Sequence, residues 1–172
     1  MKKIYLEVRP SPIEGNGAFA VRRILRRTRI IEYTGERITH ALANDLYGRE
    51  DACGDDFEAE PHFYLFTVDS RTIIDGSVNG NDARFINHSC SPNCEAIIED
   101  GNVYIDAIRT IEVGEELTYD YLLDIGSEVS DEDRQRYACR CGAANCRGTM
   151  LAQPKVRRLR SGRVTSERRK AA

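Results

Sequence analysis

Cys139-Arg140-Cys141, followed by Cys146, places three thiols within eight residues of a loop that also contains Gly142 and Gly148. This cluster constrains the fold more than any other stretch, because cysteine that serves only as a small apolar group is usually buried in regular structure. A structural zinc is almost always four-coordinate and tetrahedral with Cys or His ligands, so three thiolates call for a fourth ligand from elsewhere in the chain. Cys53, Cys90, Cys94 and a nearby histidine all remain open on spacing alone. Whichever it is, the C-terminal loop must be tied back onto the body.

The remaining composition sharpens that expectation. The chain has 172 residues, 41% of them apolar and 31% charged, which suits one compact domain with a single core. Met1-Lys2-Lys3-Ile4-Tyr5-Leu6-Glu7 begins like a signal peptide, but the apolar run stops at Glu7. No stretch approaches the roughly 20 apolar residues of a membrane span. The expectation is a soluble, unsecreted protein without membrane contact, in which six cysteines stay reduced or bind metal. Charge is distributed unevenly. Residues 155–172 carry eight Lys or Arg against one Glu, whereas residues 1–154 carry 17 basic and 27 acidic side chains. Acidic residues concentrate in 45–60 and 124–133, a surface that attracts cationic partners.

Apolar and polar residues alternate in 4–8, 30–33, 63–68 and 73–75, the period of half-buried strands. Residues 95–99 and 103–107 flank Asp100-Gly101-Asn102, which reads as a β-hairpin. Helical signal is confined to residues 39–49, where Thr39 is the cap and Leu42 and Leu46 share a face, and to residues 130–137. Short strands punctuated by Gly-containing turns predict a mainly β fold. From Pro154 onward the Arg-rich tail, poor in apolar residues, is expected to be disordered unless a partner orders it.

One further segment stands out. Arg84-Phe85-Ile86-Asn87-His88-Ser89-Cys90-Ser91-Pro92-Asn93-Cys94 sets an amide, an imidazole, a hydroxyl and a thiol side by side, a polar loop rather than a core strand. With Gly114-Glu115-Glu116-Leu117-Thr118-Tyr119-Asp120-Tyr121, it resembles the paired signature of the SET-domain protein-lysine methyltransferases. The likeness extends through Ser11-Pro12-Ile13-Glu14-Gly15-Asn16-Gly17-Ala18-Phe19-Ala20, Tyr64-Leu65-Phe66, Asp75, Gly80-Asn81 and the C-x-C-x4-C segment called post-SET. It spans about residues 2–151 and is nearest the trithorax or mixed-lineage-leukaemia type, with no pre-SET cysteine cluster.

The resemblance implies a SET fold of several small curved β-sheets, a C-terminal pseudoknot and a zinc-bound post-SET loop. It implies a SET domain over 2–123 with a variable insert at about 41–62, a post-SET zinc region over 124–151, and a basic tail over 152–172. One structural zinc falls to Cys90, Cys139, Cys141 and Cys146, leaving Cys53 and Cys94 free. S-adenosylmethionine is the implied co-substrate, approached by Glu14, Asn16 and Gly17, by Asn87 and His88 mainly through backbone, and by Arg140. Tyr121 is the implied catalytic tyrosine, Tyr64 lines the lysine channel and cofactor pocket, and Tyr119 occupies the Phe/Tyr switch position, which implies mainly monomethylation. Ser77-Val78-Asn79 stands where relatives often carry another channel aromatic.

The implied substrate is a histone tail or another lysine-bearing basic protein, with nonspecific nucleic-acid contact through the basic tail. The competing reading is an inactive SET-type peptide- or chromatin-binding module. The short chain looks more like stand-alone SET proteins of bacteria or viruses. That implies a cytoplasmic enzyme or an effector reaching host histones, and a nuclear enzyme in a eukaryote.

Overall fold

The computed structural model describes residues 4–47, 64–125 and 129–152. The strands run in chain order as β1 (Leu6–Pro10), β2 (Asn16–Ala20), β3 (Arg29–Tyr33), β4 (Glu36–Ile38), β5 (Leu65–Thr67) and β6 (Ile73–Asp75), then β7 (Asn87–His88), β8 (Cys94–Glu99), β9 (Asn102–Ala107) and β10 (Thr118–Tyr119). Two short helices, α1 (His40–Tyr47) and α2 (Asp131–Arg136), complete the regular elements. They form four small sheets: β1-β2, β3-β9-β8, β4-β6-β5 and β10-β7. The mainly β expectation holds.

The β8–β9 hairpin follows from its turn. Asp100 and Gly101 both take positive φ, 50° and 75°, the pair of left-handed residues that a two-residue turn needs to match strand twist. Along β9, Val103, Ile105 and Ala107 are buried while Tyr104 and Asp106 are partly exposed, so the period of two reads directly as inside and outside. In β6 the alternation fails, because Ile73, Ile74 and Asp75 are all buried between β4 and β5. The main core gathers Ile24, Ile74, Ile86, Val103, Ile105, Ile111 and Leu117 from several sheets.

Thr39 caps α1, its hydroxyl accepting from the Leu42 N–H at 3.2 Å. Leu42 and Leu46 do share a face, but it is the solvent face, at 44% and 51% exposure, and the helix docks through Ala43 against Ile38 and Ile73. The rest of the insert beyond Tyr47, with Cys53, lies outside the described residues. Ser130 and Asp133 close a capping box on α2, which buries no residue. The basic tail from residue 153 also lies outside the described residues. No helix among the described residues is long and apolar enough to cross a membrane.

The pairing that positions the site is the smallest. β7 and β10 run parallel, with Asn87 opposite Thr118 and His88 opposite Tyr119. Two residues of ladder would not hold such a link. The buried Asn93 side chain reinforces it, donating to the Glu116 carbonyl at 2.7 Å and accepting from the Thr118 N–H at 2.9 Å. The polar segment 87–93 is thus bound against β10 and the residues that follow it to Tyr121.

Candidate active site and thiol centre

The structure brings Cys90 to the three clustered cysteines. All four sulfurs lie within 4.8 Å of one another. Cys90 Sγ is 3.7 Å from Cys139 Sγ and 4.0 Å from Cys146 Sγ. Four sulfurs at about 2.3 Å from a tetrahedral zinc stand about 3.8 Å apart, so the set fits that ion. Backbone N–H groups support it: Cys141 donates to Cys139 Sγ, Cys90 to Cys141 Sγ, Arg147 to Cys90 Sγ and Gly148 to Cys146 Sγ, each at 3.4 Å. Every sulfur therefore receives at least one main-chain donor, which favours thiolate. Burial pushes the Cys90 and Cys139 thiols up. At Cys141 burial also opposes ionisation, but N–H donors from Cys90 and Ala143 win and bring it down to about 6. A divalent cation is what would bring all four to thiolate together. Cys94 is buried apart, with burial pushing its thiol up to about 12.

An aromatic cluster lies next to the thiols. Tyr33 packs on Phe66, Phe66 on Tyr119 and Tyr119 on Tyr121, with centroids 5.4, 6.2 and 4.8 Å apart. The Tyr121 hydroxyl donates to the Ile86 carbonyl at 2.9 Å. The Tyr119 ring is buried, yet its hydroxyl has no hydrogen-bond partner among the described residues. Burial pushes both phenols upward, so they stay protonated at neutral pH. Tyr64 sits edge-on to Phe85 at 5.7 Å, and its carbonyl accepts from Tyr33 OH at 2.8 Å.

His88 joins the two regions. Its Nδ1 accepts from the Tyr121 N–H at 3.1 Å, which puts the ring proton on Nε2, and Nε2 faces Cys90 Sγ at 3.4 Å. The Asp120 carboxylate lies 3.6 Å from Nδ1, but burial holds the imidazole neutral and pushes its pKa down, so this is not an ion pair. Asp120 instead takes both ends of the Arg147 guanidinium, at 2.6 and 2.7 Å. Arg147 thus grips Cys90 with its backbone and Asp120 with its side chain.

On the other flank, Asn87 Nδ2 donates to the carbonyls of Glu14 and Asn16 at 3.2 Å and to the Glu116 carboxylate at 2.8 Å. Glu116 also accepts from Ser11 Oγ at 2.7 Å. A Cβ at Gly17 would fall 2.3 Å from that carboxylate and 2.9 Å from Ser11 Cβ, so a larger residue would push Glu116 away from Asn87. Arg140 reaches across from the thiol loop to Glu14 at 3.2 Å, an exposed pair that adds little stability but shows the two segments within reach. The sequence-derived residues Glu14, Asn16, Gly17, Asn87 and Arg140 thus converge. Glu116, Asp120 and Arg147, and the buried His88 side chain, were not singled out beforehand. Their partners are distant in sequence, and only the adjacency of Glu116 and Asp120 to the tyrosines, and of Arg147 to Cys146, hinted at them.

The SET domain family matches residues 15–122, and this chain belongs to that family. Over 144 residues it is 42% identical to the histone-lysine N-methyltransferase, H3 lysine-4 specific, of Saccharomyces cerevisiae, covering 80% of this chain and 12% of that protein. It is 36% identical over 144 residues to human histone-lysine N-methyltransferase 2D, covering 81% of this chain and 2% of that protein. The H3 lysine-4 specific enzyme of Schizosaccharomyces pombe is 41% identical over 154 residues, covering 86% of this chain and 15% of its own length. The chain thus spans a small fraction of each of these relatives.

Proposed function

We propose that this chain transfers a methyl group from S-adenosylmethionine to the side-chain amine of a lysine on a histone tail or another basic protein. The observation that carries the proposal is the Tyr119–Tyr121 pair, seated between the Asn87-bound glycine loop and the thiol loop. When bound, S-adenosylmethionine supplies a methyl group already activated on a sulfonium. The chain's own groups match its ends: Arg140 for a carboxylate, the Glu14 and Asn16 main chain for an ammonium, and Asn87 and His88 along the polar segment.

A lysine in water has a pKa of about 10.4 and does not attack while protonated. The low-polarity surroundings of the Tyr33, Phe66, Tyr119 and Tyr121 cluster make an ammonium costly there and so favour the neutral amine. Burial raises the Tyr121 phenol, so it is protonated at neutral pH and acts here as a positioning group. Its O–H is committed to Ile86, which leaves the oxygen lone pairs to hold the amine by accepting its N–H. Alignment of this kind supplies much of the rate. Tyr64 lines the lysine channel.

The free Tyr119 hydroxyl is the basis for mainly monomethylation, since it can anchor the amine or a water and so take the room that added methyl groups need. Cys90, Cys139, Cys141 and Cys146 hold a structural zinc that seats Arg140 and Arg147. The same reading divides the chain into a SET domain over 2–123, a post-SET zinc region over 124–151 and a basic tail over 152–172 that touches nucleic acid. It places the protein at chromatin, as the relatives' names suggest.

The test is transfer of labelled methyl groups to core histones, with Tyr121→Phe as control. The wild type should label histone, and the variant should be about 100-fold slower, the scale of losing one positioned polar group. Equal labelling by both would exclude the Tyr121 assignment. No labelling by either, with metal bound, would favour a peptide-binding module. Mass spectrometry of the product should show monomethyl-lysine first, and early abundance of trimethyl-lysine would exclude the Tyr119 reading.

A further inference from the structure

The connection from β2 to β3 carries four arginines in six residues, Arg22, Arg23, Arg26 and Arg27, all exposed. Among the described residues only Arg23 has a carboxylate partner, Glu112 at 3.0 Å, and that pair is itself open to solvent. Arg22, Arg26 and Arg27 make no ion pair with any described residue. Three unpaired guanidinium groups on the surface of a domain rich in acidic side chains are unexpected for a merely solvated loop.

The backbone gives a second, independent sign. Thr28 N–H closes a turn onto the Leu25 carbonyl at 3.1 Å, and Arg27 sits in it with φ of 68°, a left-handed conformation that favours glycine. The strain is fixed in place. Arg27 N–H donates to the Ala107 carbonyl at 2.7 Å, Ala107 N–H donates to the Thr28 carbonyl at 3.0 Å, and buried Ile24 bridges Ile111. A long cationic side chain held rigidly where glycine would fit better is an outlier that points toward use. Beside it opens a concavity of about 530 Å³ lined by Tyr5, Arg22, Arg23, Leu25 and Thr28. It lies at the end of β2 opposite the Gly15-Asn16-Gly17 loop.

We propose that this arginine turn is a contact for the phosphate backbone of duplex nucleic acid. The guanidinium fork matches phosphate oxygens, and unpaired arginines bind them without first losing an internal partner. An acidic protein is the weaker candidate, because a protein interface wants an apolar centre and Leu25 is the only large aliphatic group in the lining. Single strands are disfavoured too, since they need exposed aromatic platforms and Tyr5, the one ring in the lining, is only partly exposed. The excess of acidic over basic side chains in residues 1–154 disfavours phosphate contact over the rest of the domain, so the turn would orient the duplex as well as hold it. The contact is separate from the basic tail and does not depend on methyl transfer.

The test uses the full chain and a mixed-sequence duplex of about 30 base pairs, with anisotropy read across a salt series. Each lost phosphate contact flattens the plot of log affinity against log salt by about 0.9. R22A/R26A/R27G should therefore flatten it by roughly 2.7, while labelling of a free substrate peptide stays at the wild-type level. R27G alone should flatten it by about 0.9 and raise Tm, because glycine relieves the turn. R27K should keep the slope. A triple variant that binds the duplex with the wild-type slope overturns the proposal and assigns all DNA affinity to the tail. So does a wild type that shows no duplex binding. Loss of binding to a poly-glutamate peptide with duplex binding intact would also overturn it, in favour of an acidic protein. If the wild type fails to label any substrate, the salt slopes still decide the question.

Discussion

The aromatic cluster and the thiol loop meet at His88 yet are held by different forces. The cluster stands on packed strands: Tyr119 lies in β10, Phe66 in β5 and Tyr33 in β3, and each belongs to or packs on the main core. The thiol loop has no such support. Residues 139–148 contain no helix or strand, and Cys139, Cys141 and Cys146 are half-buried or exposed. The loop is held by Cys90, four N–H contacts to sulfur, the Arg147–Asp120 pair and, at its base, the Cys139 N–H donating to the Gly148 carbonyl and the Ala138–Thr149 bridge. One half of the site is preformed by the fold, while the other rests on a four-sulfur cluster fit for a metal and on a few polar contacts.

The largest expected effect breaks the weaker half alone. Chelation, or Cys141→Ser, should cut methyl transfer by at least about 100-fold, because structural zinc contributes roughly 10–16 kcal/mol of apparent binding free energy. Hydrogen exchange should then show residues 139–152 unprotected while β8 and β9 keep their protection. If the whole domain melts instead, the two halves are not separable.

Next in size is Tyr121→Phe, which attacks the preformed half. Its kcat should fall about 100-fold while the unfolding free energy from denaturant titration changes by no more than about 1 kcal/mol, the worth of one neutral hydrogen bond to Ile86. A large loss of stability would mean that the hydroxyl serves the fold first.

Arg147→Ala tests the join and should cost about 2 kcal/mol, the scale of a hydrogen bond to a charged group. A pH signature should accompany it. Burial raises the Asp120 carboxyl, but Arg147 outweighs this and leaves its pKa below the ordinary 3.8. A lowered folded pKa adds stability that is present above pH 3.8 and lost as pH falls through the folded value. The variant should flatten stability against pH in that acid range, as urea titrations would show. Smallest in energy is Tyr119→Phe, with stability within about 0.5 kcal/mol and a product distribution shifted toward higher methylation states.

The sequence and the structure agree best where interactions are local. The β8–β9 hairpin was legible because Asp100-Gly101 fixes the turn and alternation marks the faces. Residues 39–47 showed a capped helix, but not its orientation, because Leu42 and Leu46 lie away from the small Ala43 contact that seats it. β7 and β10 were illegible as strands: two residues have no period, and each depends on the other across about thirty residues. Three cysteines declared a metal site by spacing, and Cys90 could be chosen only through the family resemblance. The tautomer of His88 lay beyond both, since it is set by the Tyr121 N–H reaching a ring 33 residues away.

That distance between β7 and β10 has a kinetic consequence. Closing a loop of about thirty residues costs about 3 kcal/mol in chain entropy beyond a constant, and two rungs of ladder return little of it. The β8–β9 hairpin closes through a two-residue turn, and the longer β3–β9 closure is repaid by a full ladder and by Ile30, Tyr33, Val103, Ile105 and Ala107 entering the core. Refolding should therefore restore far-UV dichroism before it restores the polar segment to its place beside Tyr121. A chain emerging from denaturant should then pass through a strand-rich form in which Tyr121 is present but His88 and Asn87 are not yet beside it.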